Sequence, residues 1–219
     1  MKNKLFLMAS AMLISVAAMS QNLRLNVHTQ YVFDDGIDSY YDNNNYYNGT
    51  INGGFQWGLG LEYFPHPAKG IELSYLRQDT KAPMTYLNGG GTVKNDVLDL
   101  GISWLMIGGN NYFRKPGSKA EGYAGFSLGA AFLNAENTRT QASNSATKFA
   151  WGIKIGGNIW ASERIALKLQ AQLYSAVQGA GGGLYFGTGG AGAGVSTYSS
   201  MYQFGLGGGL AFALGGGKK

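Results

Sequence analysis

The chain has 219 residues, of which 36 are Gly, 14 Tyr, 11 Phe and 4 Trp, but only 13% are charged. An ordinary soluble domain carries about 25% charged residues, so a fully hydrated surface is disfavoured. The absence of cysteine excludes disulfides and thiol chemistry, and the net charge of +5 is too mild and too scattered to indicate a nucleic-acid partner.

The N-terminus predicts export. Lys2 and Lys4 precede an apolar run from Leu5 to about Ala18, and small residues follow at Ala18 and Ser20. This is the layout of a secretory signal peptide. A transmembrane helix needs about 18 to 20 apolar residues, and this run is shorter. The predicted domains are therefore a cleavable signal peptide over 1–20 and one barrel domain over 21–219.

After the leader, segments of roughly ten residues alternate between apolar and polar positions. In the first, Leu25, Val27 and Tyr31 oppose Asn26 and Gln30. Period-two alternation predicts β-strands with one face in an apolar medium and the other in a polar one. The eight predicted strands are Leu23–Phe33, Ile51–Phe64, Gly70–Arg77, Val97–Ile107, Gly122–Phe132, Lys148–Trp160, Ile165–Val177 and Met201–Leu214.

The fourth segment also alternates, with a nearly continuous apolar set on one face. We expect Leu98, Leu100, Ile102, Trp104 and Met106 on its outer face, with Asp99 on its inner face. Two aromatic belts are also expected, as at both edges of a bilayer. The belt assigned to the periplasmic end comprises Tyr63, Phe64, Tyr112, Phe113, Trp160 and Phe212.

The connections between the segments alternate strictly between long and short. "PHPAK", "RKPGSKAE" and "ASER" are compact, whereas the other connections run to 15 residues or more. Short periplasmic turns and long extracellular loops are typical of up-and-down outer-membrane barrels, while a soluble sandwich gives no reason for the alternation. We therefore predict an all-β fold, an eight-stranded antiparallel up-and-down transmembrane β-barrel in the outer membrane with both termini periplasmic. A ten-stranded barrel is the alternative, because the glycine-rich fourth loop has the length to extend the last strands.

This strand layout and the closing segment "YQFGLGGGLAFAL" resemble the small eight-stranded outer-membrane β-barrel family, the OmpA/OmpX/opacity-protein-like group. The resemblance implies a monomer in contact with outer-membrane lipid, delivered by periplasmic chaperones and the barrel-assembly machinery. Members often end on an aromatic residue that this machinery recognises. Because this chain ends "LAFALGGGKK", Phe212 and Leu214 are the candidates for that signal.

Ionisable residues on the predicted inner faces balance in number. They are Arg24, Lys154 and Lys168 against Glu62, Glu72 and Asp99, with His28 beside them. A charge in a narrow interior needs a partner, because an unpaired one costs several kcal/mol. The balance predicts an internal salt-bridge network that plugs the barrel. The alternative is a narrow pore for ions or small solutes.

Catalysis, cofactors and metals are not expected. A lipid-modifying enzyme, the second alternative, needs a nucleophile and a histidine base together. Here Ser74 and Ser127 face His28 only across the interior, and His66 lies in a turn. The segment "GTGGAG" lacks the lysine and the helix of a phosphate-binding loop.

The first long loop is the candidate surface-interaction loop. Its segment "DSYYDNNNYYNG" sets Tyr40, Tyr41, Tyr46 and Tyr47 among Asp and Asn. Rigid amphipathic rings mixed with adaptable hydrogen-bonding groups are typical of recognition loops. The overall prediction is a non-catalytic barrel acting in envelope integrity or in surface interaction with an extracellular ligand or partner.

Overall fold

A computed structural model describes residues 22–42, 45–87, 93–177, 183–187, 190–194 and 201–215, with side chains over 22–36, 48–85, 95–177 and 201–215. The predicted signal peptide lies outside these residues. The described residues form twelve strands: β1 (Leu23–Val32), β2 (Asp35–Asp42), β3 (Asn45–Ile51), β4 (Gly54–His66), β5 (Lys69–Leu87), β6 (Val93–Arg114), β7 (Ala120–Asn137), β8 (Ser143–Trp160), β9 (Ile165–Val177), β10 (Gly183–Gly187), β11 (Gly190–Gly194) and β12 (Met201–Ala213).

Eight of these strands close into an antiparallel barrel. The order is β1-β4-β5-β6-β7-β8-β9-β12, and β12 pairs back with β1. The remaining four strands form two hairpins, β2–β3 and β10–β11, outside the closed ring. The predicted eight-stranded antiparallel barrel is confirmed, and the described residues of the fourth loop add no barrel strand.

The strands of the barrel are strongly staggered. Followed from partner to partner around the barrel, the register leaves β6 at Phe113 and returns to it at Ser103, a stagger of 10 residues. Stagger and strand tilt are linked in a closed barrel, and eight strands leave an interior only wide enough to be filled by side chains. The geometry therefore places inward residues of opposite strands within reach of one another.

The two ends of the barrel differ. The short connections β4–β5, β6–β7 and β8–β9 lie at one end of the barrel. The start of β1 and the end of β12 lie there too, and we call this the short-turn end. The opposite end, the loop end, carries both hairpins. Strands β5 to β8 have 18 to 22 residues, whereas β1, β4, β9 and β12 have 10 to 13. The four longer strands, β5 to β8, are neighbours in the barrel, and we call them the tall wall.

The hairpin β2–β3 replaces part of the loop predicted after the first strand. It continues the tall wall, because Tyr47 to Gly49 of β3 pair with Met84 to Tyr86 of β5. Alternating tyrosines and small polar residues favour strands as well as loops, which is why composition alone did not separate the two possibilities.

The outer surface of the barrel is an apolar belt. Outward-facing residues that are 40% or more exposed include Leu59, Leu73, Ile107, Ile155 and Leu169. At the loop-end edge of the belt, Phe33 stacks on Phe204 with ring centroids 5.6 Å apart. Such a large exposed apolar area is characteristic of a surface that meets another apolar medium. Within the described part of the chain, no helix is long and apolar enough to cross a membrane.

Face assignments from the sequence are wrong on β4, β6 and β8. Strand β6 turns Leu98, Leu100, Ile102, Trp104 and Met106 into the barrel, where each is at most 6% exposed, and its outward apolar residues include Leu105 and Ile107. Both faces of β6 are apolar, so alternation did not reveal which one meets the interior. Tyr112 and Trp160 also point inward rather than joining an outer aromatic belt, and Phe64 packs against the buried Arg24 and Tyr112.

Candidate functional site: the filled interior of the barrel

Polar and charged side chains occupy the half of the interior nearer the short-turn end. Inward-facing positions of every barrel strand except β12 contribute to it, and no residue from a loop is needed. The structure places these predicted interior residues there, each at most 6% exposed: Arg24, His28, Glu62, Glu72, Lys154 and Lys168.

The inward position predicted for Asp99 is wrong. Its carboxylate faces outward beyond the apolar belt, where Lys81 Nζ lies 3.9 Å from it, and both side chains are more than half exposed. Asp99 shares the face of β6 that was misassigned, so the error in register carried it inward. The third interior acid is Glu121, buried at the start of β7. Its place beside the turn hid it, because the predicted strand began at Gly122.

Glu72 has four partners in the interior, two of them cationic or able to become so. Its carboxylate pairs with Lys154 Nζ and lies 3.2 Å from His28 Nε2. It also accepts hydrogen bonds from Asn26 Nδ2 at 2.7 Å and Asn110 Nδ2 at 3.3 Å. These partners come from β1, β6 and β8, so the carboxylate on β5 ties four walls of the barrel together.

Glu62 is bound mainly by neutral donors. The Tyr112 hydroxyl lies 2.8 Å from both carboxylate oxygens, and Asn110 Nδ2 donates at 2.6 Å. Asn26 Nδ2 donates to it at 3.1 Å as well as to Glu72. The two amides thus bridge two carboxylates, which keeps like charges apart while satisfying their oxygens.

Arg24 closes the short-turn end of this network. Its guanidinium carbon lies 4.5 Å from the ring centroid of Phe64 and 5.0 Å from those of Tyr112 and Trp160. Arg24 Nη1 also lies 3.2 Å from Glu121 Oε1. Three aromatic faces and a carboxylate favour a guanidinium at this position.

Glu121 connects the interior to the rim. Besides Arg24, it accepts a hydrogen bond from Asn158 Nδ2 at 2.9 Å and pairs with Arg114, whose side chain is 29% exposed. Glu121 therefore lies between two cations, Arg24 in the interior and Arg114 at the rim, and Arg24 also lies 4.0 Å from Glu62.

Lys168 differs from the other interior cations. It is fully buried, and its Nζ has no hydrogen-bond partner among the described residues. The ammonium instead lies 4.6 Å from the ring centroid of Tyr123. A cation–π contact offsets only part of the desolvation cost of a buried ammonium. Lys168 is therefore the least compensated charge in the described interior.

A layer of glutamines lies above the charges. Gln172 Nε2 donates to Gln56 Oε1 at 3.1 Å, and Gln30 donates to the same oxygen. Gln203 Nε2 donates to Gln78 Oε1 at 2.8 Å. These neutral amides join strands on opposite sides of the barrel and mark the transition from the charged half to the apolar half.

The half nearer the loop end is filled mainly by apolar side chains, which we call the apolar plug, although Lys148 is also buried on this part of β8. Trp104 is 0% exposed, and its ring centroid lies 5.4 Å from that of Tyr174. The inward side chains of the tall wall surround this pair. The remaining large members are Ile51, Leu76, Met84, Leu98, Leu100, Ile102, Met106, Leu133 and Met201. The interior thus contains two different closed layers in series.

The arrangement around His28 is that of a network member. Its Nε2 contacts Glu72, and within the described residues neither Ser74 nor Ser127 is hydrogen bonded to it. His66 lies at the end of β4, where its Nδ1 accepts a hydrogen bond from the backbone N–H of Ala68 at 3.2 Å. Among the described residues, no group of three or more His, Cys, Asp or Glu is arranged to hold a metal ion.

The remaining predicted positions lie at the two ends. Four tyrosines of the candidate surface-interaction loop lie in β2 and β3, where the structure describes only the backbone: Tyr40, Tyr41, Tyr46 and Tyr47. Phe212 is at the short-turn end of β12, opposite Leu25 of β1 and Ile165 of β9. The backbone N–H of the exposed Leu214 donates to the Leu23 carbonyl at 2.9 Å.

Comparison with solved structures identifies the architecture. Neisserial surface protein A aligns with a TM-score of 0.55 and 10% identity, over 87% of this chain and 96% of that chain. OprG, an outer membrane protein from Pseudomonas aeruginosa, aligns with a TM-score of 0.55 and 10% identity, over 88% and 95%. The fold is that of the outer-membrane barrels.

The same architecture occurs in an enzyme. The outer membrane protease OmpT from Escherichia coli aligns with a TM-score of 0.51 and 7% identity, over 87% of this chain and 96% of that chain. No protein-family model matches the sequence, and no curated protein matches it. At these identities the comparison defines the fold alone, and function must be argued from the side chains.

Proposed function

We propose that this chain is a non-catalytic integral outer-membrane β-barrel protein that anchors its loop end at the cell surface. The observation that carries the proposal is the filled interior, in which a salt-bridge network and an apolar plug lie in series. The apolar belt supports insertion in a bilayer, because lipid is the medium that a closed barrel with a polar inside and an apolar outside meets favourably.

The orientation is part of the same proposal. The loop end is extracellular and the short-turn end, with both termini, is periplasmic, after removal of residues 1–20. Short periplasmic turns and longer extracellular segments support this direction. Phe212 and Leu214, at the outer end of the last strand, are then positioned for contact with the barrel-assembly machinery in the periplasm. The protein acts as a monomer.

A conducting pore is disfavoured by the partners of the interior charges. Glu62 and Glu72 are 0% and 1% exposed, and hydrogen bonds or ion pairs engage both. Ions would next have to cross the apolar plug, whose large buried side chains are mainly hydrocarbon and offer few polar groups to replace lost hydration. Loop-mediated interaction at the surface, through the hairpin β2–β3 and its tyrosines, remains the function that this architecture supports best.

Two measurements test the proposal. The outer-membrane fraction is run on SDS gels with and without boiling, and we expect an unboiled band that migrates faster, as a closed barrel does. The purified protein is then placed in planar lipid bilayers, where we expect no conductance steps. A soluble protein with unchanged mobility contradicts the membrane assignment, and steps that respond to charge reversal at Lys154 or Glu62 contradict the closed interior.

A further inference from the structure

The outer face of the tall wall becomes polar beyond the apolar belt. On β5, Tyr75 is the last aromatic residue before Arg77, Asp79 and Lys81, all facing outward. On β7, the same change follows Phe132. The short strands of the barrel end near their aromatic residues instead. The four strands of the tall wall therefore carry an outward polar surface past the belt.

This polar surface consists of two rows that cross four strands. The first row is Asp79, Gly101, Asn134 and Ser145. The second row is Lys81, Asp99, Glu136 and Ser143. Together with Arg77 they line a groove of about 690 Å³. We call this the wall groove.

The floor of the wall groove is organised around a glycine. A side chain at Gly101 would approach Arg77 Nη2 to 2.4 Å, so the absence of a side chain lets the guanidinium lie across the strand. Arg77 Nη1 donates to Ser103 Oγ at 3.0 Å, and Arg77 also pairs with Asp79. The guanidinium is thus held in place while 26% of its side chain stays exposed.

The charges of the wall groove largely cancel. Arg77 pairs with Asp79, and Lys81 Nζ lies 3.9 Å from Asp99. Glu136 is the only other charged residue of the two rows. A surface built to attract a free polyanion would carry excess positive charge, so the wall groove is suited to a ligand recognised by hydrogen bonds.

Hydrogen-bonding groups are available in the part of the groove on β7 and β8. The side chains of Asn134, Glu136, Ser143 and Ser145 make no hydrogen bond to another described residue, and each is exposed. An amide, a carboxylate and two hydroxyls supply both donors and acceptors. A surface of neighbouring hydroxyls, as on a sugar, matches such a set better than an apolar ligand does.

We propose that the wall groove binds the saccharide headgroup of a glycolipid in the outer leaflet. The groove begins where the apolar belt ends, so a lipid whose acyl chains lie on the belt brings its headgroup to these rows. The inference rests on the proposed function for the direction of insertion. It adds a specific lipid contact on one side of the barrel.

The test uses the full chain refolded in detergent and a fluorescently labelled lipopolysaccharide, with binding measured by thermophoresis. N134A/S145A is expected to weaken binding at least tenfold. The control N52A removes an exposed loop-end amide outside the groove and is expected to leave binding unchanged. Both variants are first checked for the fast-migrating unboiled band, so that loss of folding is not mistaken for loss of binding.

Three results with other ligands would overturn the inference. They are equal binding of phosphatidylglycerol, equal binding of the free oligosaccharide without lipid, and loss of binding when the lipopolysaccharide is dephosphorylated. Equal affinity of N134A/S145A and the wild type would overturn it as well. Failure of the proposed function shows separately, as a wild-type protein that lacks the fast-migrating band.

Discussion

Lys154 and Lys168 are buried to a similar extent on adjacent strands, yet their surroundings differ. Lys154 Nζ pairs with Glu72, whereas Lys168 Nζ faces a tyrosine ring and has no hydrogen-bond partner among the described residues. Removing one partner of a buried ion pair leaves the other charge uncompensated, while removing an unpaired buried charge removes a cost. The two lysines are therefore a matched pair for separating these effects.

We expect K154M to destabilise the barrel by about 3–5 kcal/mol, since the Glu72 carboxylate loses its cationic partner in a buried site. K168M is expected to change stability by less than about 1 kcal/mol or to stabilise the protein. The free energy of unfolding is measured by urea titration of the detergent-refolded protein, with the unboiled gel band as the readout. Equal destabilisation by both substitutions would show that Lys168 has a partner as important as Glu72.

At the scale of single strands, β12 depends on glycine more strictly than its composition suggests. Gly209 has a φ of +154°, and a side chain there would approach the Val27 carbonyl oxygen to 1.8 Å. On the same inward face, a side chain at Gly205 would meet Gln30 at an ordinary 3.4 Å. Only the first position requires the glycine for its backbone conformation and for the approach of β1.

We expect G209A to destabilise the barrel by about 2–4 kcal/mol, because it combines backbone strain with overlap against a neighbouring strand. G205A is the matched control, and its effect is expected to stay within about 1 kcal/mol. The fraction of refolded protein in the fast-migrating band, measured at increasing urea, gives both values. A mild effect at Gly209 would mean that β1 and β12 separate easily at that point.

Strand β1 and strand β6 show how far alternation carries from sequence to structure. On β1, Asn26 and Gln30 alternate with apolar residues, so the inner face was predicted correctly. On β6, both Trp104 and Leu105 are apolar, and a shift of one residue exchanges the two faces. The interior therefore contains an apolar plug that composition did not suggest. The same shift places Asp99 on the outer face, and the third acid of the interior is Glu121 instead.

The barrel could be predicted from the lengths of the connections and from the alternation of apolar and polar residues, because a closed membrane barrel requires both in all of its strands and connections. Contacts across the interior are different, because they depend on the stagger of 10 residues that only the assembled register defines. The bridging of Glu62 and Glu72 by Asn26 and Asn110 is such a contact. For the same reason the tall wall, formed by unequal strand lengths, was not predicted.

Taken over the whole molecule, the two interior layers close the barrel independently. The charged network fills the short-turn half, and the plug around Trp104 and Tyr174 fills the loop-end half. An ion crossing the barrel would have to pass both layers, so opening one layer leaves the path blocked by the other. Substitutions within a single layer are therefore expected to leave the barrel non-conducting.

This expectation is tested with two double variants and their combination in planar bilayers. W104G/Y174G opens only the apolar layer, and E72A/K154A opens only the charged layer while keeping its charge balanced. We expect both to stay silent, since each retains one filled layer in a barrel of eight strands. The combined variant is expected to show discrete conductance steps, provided that its unboiled band still migrates faster. Conductance steps in either double variant would contradict this expectation. They would show that the remaining layer is hydrated enough for ions to pass and that the opened layer alone had closed the barrel.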